Sequence, residues 1–140
     1  MTGRLAVDID TLYARLDALL AVNPLPPDGA CRLALTEEDR AGRDLFCRWA
    51  EESCLPVTVD AIGNLFATLP GAEPGLAPVM SGSHLDTVAT GGRFDGALGV
   101  LAALGTLEAM RAAGFRPPRA LVAAAFTNEE GARFAPDMLG

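Results

Sequence analysis

The sequence predicts an α/β fold with a mixed sheet between helices, and three observations carry that reading. Two stretches in the first third have apolar residues at helical spacing. After Pro56 the period changes to two. From Pro78 to Phe126 a strand, a helix and an almost wholly apolar strand follow one another, which is a βαβ unit. With 140 residues, half of them hydrophobic and 21% charged, the chain suits one globular domain with a real core.

The first helix is expected over Asp8 to Val22, where Leu12, Leu16, Leu19 and Leu20 share a face and Asn23, Pro24 and "LPPDG" end the run. A second should begin at Thr36, whose hydroxyl can cap while Asp39 answers three residues on; its buried stripe is Leu45, Phe46, Trp49 and Ala50. "VTVDAIGNLFATL" alternates around Gly63-Asn64, a hairpin or bulged two-strand ribbon, and "PGAEPGLAP" is a surface loop. Pro78 to Ser83 reads as a buried strand that delivers His84 at its end, Ala97 to Ala113 as a helix, and Arg119 to Phe126 as a second buried strand. A βαβ unit places ligands beyond the carboxyl ends of its strands, where "HLD" and "NEEG" both fall.

Composition excludes several functions. Net charge is −7, and the eleven basic residues are all Arg and spread without a cluster, so nucleic acid is not an expected partner. Without lysine there is no Schiff-base amine and no P-loop lysine. Cys31, Cys47 and Cys54 are odd in number and lack a CxxC pair, which argues against a disulfide framework or thiolate zinc site and reads as small core hydrophobes. The N-terminal "MTGRLAVDIDTLYARLDALL" has acids within its first apolar segment and no leader pattern, so a cytoplasmic protein is expected. The apolar tract Gly96 to Met110 is too short for a membrane span, so no membrane partner is expected.

The one histidine is His84, two residues before Asp86 and eleven before Asp95. On an extended backbone His84 and Asp86 face the same way, so the acid can hold the imidazole tautomer; a surface His near a solvated Asp is the bland alternative. "GGRFDG" allows positive φ at Gly91 and Gly92 and could be a simple turn. A capping Asp95 before the helix, however, would not need two glycines. In "TNEEG", Asn128 can cap a helix that starts with Glu129 and Glu130, and a helix start would equally fix two carboxylates on a rigid support. Together, one imidazole and three or four carboxylates at one sheet edge would repel one another unless protons or cations intervened. Imidazole with carboxylate oxygens suits zinc, manganese or cobalt, and an acid between two ligand sets could bridge a pair of ions. A serine hydrolase is disfavoured, because Ser83 in "SGSHL" lacks a GxSxG elbow and a separate histidine base.

"HLDT", "GGRFDG" and "FTNEEGARFAPDMLG" resemble the amidase, hydantoinase and carbamoylase branch of the M20 zinc-peptidase family, densely over Gly82 to Gly140 and more loosely before. The resemblance implies the first part of a zinc-peptidase-like catalytic domain over residues 1–140, and two divalent ions, zinc first, with manganese or cobalt as alternatives. It makes His84 a ligand of one ion, Asp95 the bridge and Glu130 a ligand of the other. Glu129 becomes the general base and Asp86 the group that orients His84, while Gly91 and Gly92 give the loop room. The substrate class it implies is a small carbamoyl or ureido compound, with an aminoacylase or peptidase activity, or a non-catalytic chain, as alternatives. Asn128, where peptidase members usually carry Asp, and the short His84-to-Asp95 gap favour the amidase branch. The family needs further histidine ligands and a smaller dimerisation domain, neither of which is present, so the chain is expected to be the N-terminal piece of a homodimeric parent.

Overall fold

The computed structural model describes residues 5–140. Residues 1–4 lie outside the described set, and with them the start of the stretch on which the leader reading rests. α1 spans Ile9–Leu20 and is capped by Asp8, whose carboxylate accepts the Thr11 N–H. β1 (Pro24–Leu25) and β2 (Gly29–Ala30) form a small antiparallel ribbon where only a helix-ending loop was expected. α2 (Glu37–Glu52) starts at Thr36, whose hydroxyl accepts the Asp39 N–H. Asp39 answers on the Leu35 N–H at 2.9 Å, one residue before the cap itself.

β3 (Val57–Val59) and β4 (Leu65–Leu69) are the antiparallel pair read from the alternation. Their turn is closed by Asp60, whose carboxylate accepts the N–H groups of Ile62, Gly63 and Asn64. β5 (Val79–His84), α3 (Ala97–Ala112) and β7 (Leu121–Phe126) form the expected βαβ unit, with β5 and β7 parallel and His84 beside Phe126. Between β5 and α3, β6 (Gly91–Gly92) pairs with β2. The larger sheet has the order β3-β4-β7-β5 and is mixed, because β4 runs antiparallel to both of its neighbours.

One core joins the three helices to this sheet. Phe46, Leu16, Leu19, Leu55, Leu101 and Leu104 are all at most 1% exposed and pack with Leu65, Ala67, Ala123 and Ala125. Those four sheet residues share one face, since Leu65 pairs with Ala125 and Ala67 with Ala123. Each fully buried leucine or phenylalanine contributes about 1.5–3 kcal/mol, so this cluster is a main source of the fold's stability.

Three expectations are corrected. β5 is an edge strand rather than a buried one: it pairs only with β7, and Val79 and Met80 are 52% and 46% exposed. A short apolar run does not reveal whether both of its flanks are paired. Cys54 is exposed, at φ 51 just beyond the end of α2, and Cys31 is half-buried outside the core cluster, so of the three thiols only the half-buried Cys47 packs against the core. No helix starts at Asn128. That residue adopts φ 54, and the chain after β7 turns without regular structure. No helix among the described residues is long and apolar enough to cross a membrane.

Candidate metal centre

The carboxyl ends of the parallel strands β5 and β7 bring the expected residues together. His84 closes β5 and is 5% exposed, and Glu129 and Glu130 follow β7 by three and four residues. Asp95 comes from the loop between β6 and α3.

His84 Nδ1 lies 2.9 Å from the main-chain oxygen of Asp86. A carbonyl can only accept, so Nδ1 carries a proton, and in the neutral ring Nε2 has its lone pair free for whatever lies in front of it. In front of it are Glu129 Oε2 at 3.4 Å and Asp95 Oδ1 at 4.0 Å. One ligand atom each from His84, Asp95 and Glu130 fits within 4.8 Å of the other two.

Asp86 meets His84 through its main-chain oxygen, not through its carboxylate as the one-residue spacing suggested. β5 ends at His84, so the extended geometry that would align the two side chains stops one residue too soon. The buried Asp86 carboxylate instead accepts the N–H groups of Glu129 and Glu130, each at 3.3 Å, and so sets the turn that aims both glutamates. Asn128 contributes from the left-handed region, donating its side-chain amide to the carbonyls of Phe134 and Pro136. It shapes the segment after the glutamates rather than capping a helix.

Two features of the "GGRFDG" loop differ from the sequence reading. Gly96, not Gly91 or Gly92, has positive φ, at 64°. It centres a tight turn in which Ala97 N–H donates to Asp95 O at 2.6 Å, and it stands as the α3 cap without a side-chain bond. Asp95 therefore does no capping, and its carboxylate stays 59% exposed beside the imidazole. A Cβ at Gly96 would lie 2.5 Å from the His84 ring, so the glycine is where the loop crosses the imidazole face. Gly91 is needed for packing against Thr87, whereas Gly92 faces open space.

The electrostatics point to a cation. Glu130 Oε1 is buried and has no hydrogen-bond partner, a costly state for a carboxylate oxygen. Burial first, then repulsion from Asp95 and Glu129, pushes the Glu130 carboxyl above its usual range against the opposing pull of His84 and the Val88 main chain. An imidazole lone pair, an orphaned carboxylate oxygen and an exposed second carboxylate are the donors that a borderline divalent ion takes. The residues present fit such an ion.

Comparison with known proteins agrees with this chemistry. The family profile described as Peptidase family M28 matches residues 64–136, from the start of β4 through the glutamate segment. An N-carbamoyl-L-amino-acid amidohydrolase of Rhizobium meliloti is 45% identical over 133 residues, covering 95% of this chain and 32% of its own length. A ureidoglycolate hydrolase of Arabidopsis thaliana is 34% identical over 140 residues, covering 100% of this chain and 29% of its own. Among solved structures, a hydantoinase/carbamoylase family amidase from Burkholderia ambifaria superposes with a TM-score of 0.93 at 48% identity, over 97% of this chain and 33% of that one. The chain thus spans about a third of the length of the curated relatives it matches. The likeness to carbamoylases and amidases expected from the motifs is present, and the matching profile carries the family number M28 where the motifs suggested M20.

Proposed function

The chain belongs to peptidase family M28, and from that premise we propose that it is the metal-site portion of a hydrolase that cleaves C–N bonds of carbamoyl or ureido groups in small molecules. The single observation behind this reading is the convergence of His84, Asp95 and Glu130 within 4.8 Å, with Glu129 against the same imidazole. The names of the relatives supply the substrate class, and this chain's own "HLDT", "GGRFDG" and "TNEEG" motifs support the carbamoylase and amidase branch.

His84 and Glu130 would each hold one divalent ion, with Asp95 shared between them; zinc is the first choice, manganese and cobalt the alternatives. When bound, such ions supply Lewis acidity toward a carbonyl oxygen and lower the pKa of water. The protein groups do the rest. Glu129, beside the ligands but not needed as one, takes a proton from the attacking water. The oxygen then bonds to the ureido carbon, the C–N bond breaks, and Glu129 returns the proton to the leaving nitrogen. Asp86 and the His84 Nδ1–H hold the base and the imidazole in register through the main chain. A role for residues 1–140 as one part of a longer catalytic domain, homodimerisation and a cytoplasmic location belong to the same proposal and rest on the family resemblance.

A peptidase or aminoacylase activity is the second reading, favoured by the peptidase family profile. One experiment separates them. The full natural protein, stripped by chelation and reloaded with zinc, manganese or cobalt, is assayed for ammonia release from N-carbamoyl-L-amino acids, allantoate and ureidoglycolate, alongside dipeptide and N-acyl amino acid cleavage. Metal-restored turnover of a ureido compound is expected. Dipeptide cleavage without any ureido turnover would move the assignment to the second reading.

A further inference from the structure

We propose that Arg32 is a positioning residue for the metal centre, clamping from behind the tripeptide Leu85–Asp86–Thr87 on which three of the site's groups depend. The inference rests on the metal-site reading above. No motif pointed to Arg32; its place in the fold does.

Arg32 is 2% exposed, a rare state for an arginine, and its guanidinium is spent on main-chain carbonyls. Nε donates to Leu85 O at 3.1 Å and Nη1 to Leu19 O at 2.9 Å, so the side chain ties the strand end to the last turn of α1. The Arg32 main chain grips the same tripeptide: its N–H donates to Thr87 Oγ1 at 2.8 Å, and its carbonyl accepts the Thr87 N–H at 2.8 Å. Leu85 and Thr87 are thus both held by one residue, and Asp86 lies between them.

Asp86 is the hub of the centre. Its main-chain carbonyl fixes the proton on His84 Nδ1, and its carboxylate accepts the N–H groups of Glu129 and Glu130. A shift of the tripeptide would therefore move a ligand imidazole and the turn carrying the base and the second ligand together. Arg32 never touches the reacting atoms. It also brings positive charge near the buried carboxylates of Asp86 and Asp39, both 2% exposed. Lysine cannot replace it fully, because a single ammonium does not reproduce two donors diverging from one plane.

Partners behind metal ligands typically matter 10–100-fold in metal affinity. The test measures zinc affinity of the full natural protein by competition with a chromophoric chelator, and the visible absorption of its cobalt-loaded form, for Arg32→Met, Arg32→Lys and Leu16→Ala. Leu16→Ala lowers stability through the core without touching the clamp and serves as the control for lost stability. Expected is a loss of about 10-fold or more in zinc affinity and an altered cobalt spectrum for Arg32→Met, a partial recovery for Arg32→Lys, and neither change for Leu16→Ala. Zinc affinity within twofold of the unvaried protein for Arg32→Met, or an equal loss for Leu16→Ala, overturns the proposal. Should Arg32→Met not fold, Thr87→Val, which removes the hydroxyl from the other side of the clamp, decides by the same criterion. An unvaried protein that takes up no zinc or cobalt would instead bring down the metal-site reading itself, and this inference with it.

Discussion

Replacing Gly96 by alanine tests whether the imidazole is set by steric fit. The added Cβ would lie 2.5 Å from both Cε1 and Nδ1 of His84 and 2.6 Å from Nε2, a collision with the whole ring rather than with one flexible end. Ordinary contact begins at 3.4 Å, so ring and loop must separate by about 0.9 Å. The ring is buried and tied through Nδ1 to the Asp86 carbonyl, so the loop, held more lightly by the two-residue pairing of β6 with β2, would have to give by well over a few tenths of an ångström. An L-residue at φ 64, ψ −52 adds strain of about 1–3 kcal/mol. A misplacement of about 1 Å can cost about 10²-fold in rate, and it strikes His84 and Asp95 together. In the full natural protein, Gly96→Ala should therefore lower zinc affinity about 10-fold or more and kcat/KM about 100-fold, read by chelator competition and ammonia release. Gly92→Ala, whose Cβ meets nothing within 4 Å, should match the unvaried protein. Gly96→Ala with affinity and kcat/KM both within twofold of the parent, or Gly92→Ala with an equal loss, would refute the steric argument.

Neighbouring glutamates should separate cleanly: Glu129→Gln keeps metal content and loses about 10²–10⁴ in kcat, whereas Glu130→Gln loses the metal itself; equal metal loss in both, by elemental analysis, contradicts the roles. Burial holds the Asp39 carboxyl above its ordinary 3.8, against the Leu35 N–H and Arg43, which pull it down. A raised carboxyl favours the fold only while protonated, so its contribution is complete below pH 3.8 and is lost as pH rises through the folded value. Asp39→Asn keeps an acceptor for Leu35 without a charge to bury. Its urea midpoint should exceed the parent's near about pH 7 and converge with it toward about pH 3; a constant or inverted gap counts against the reasoning. The 140-residue chain expressed alone should not catalyse, because His84 with Asp95, and Glu130 with Asp95, give each ion two protein contacts where a catalytic zinc has three. Titration calorimetry showing two tightly bound ions together with turnover would overturn this.

What the sequence revealed follows from how local each signal is. Thr36 announced a helix start because a cap bonds within three residues, α1 announced itself by its apolar spacing, and β4 announced its faces because Leu65, Ala67 and Leu69 alternate toward one core. His84, Glu129 and Glu130 drew attention because strand ends in a βαβ unit converge, whereas Asp95 was picked out by the "GGRFDG" motif. What stayed hidden is non-local. The single-sided pairing of β5 depends on which strand lies beside it, and the run "VMSGS" reads alike at an edge or in the middle. The positive φ fell on Gly96 rather than on the Gly91-Gly92 pair, because the constraint comes from an imidazole twelve residues earlier. Arg32 gave no signal at all: a lone arginine in "CRLALT" looks like surface until Leu85 and Thr87, 53 and 55 residues later, take up its donors.

The centre is built with unequal stiffness, and that bears on how it handles ions. His84 closes the edge strand β5, and the two glutamates follow the buried strand β7 in a turn whose N–H groups Asp86 accepts. Asp95 sits on a loop held by lighter means: the two-residue pairing of β6 with β2, the Gly96 turn, and Arg93, which reaches Asp17 on α1 and lies 3.7 Å from Asp28 between β1 and β2. Of the four acids nearby, Asp86 is taken up by main-chain N–H groups, which leaves Asp95 and Glu130 with His84 as the group able to hold a cation, and Glu129 beside the imidazole. On the proposed reading, the carboxylate that would be shared between two ions is thus the one on the more lightly held segment. A rigid Asp95 between rigid partners would have to be placed within a few tenths of an ångström by folding alone. A tethered loop would let bound ions complete that placement, while the His84–Asp86 contact would keep the imidazole, and the Asp86 carboxylate the proposed base, where proton transfer needs them.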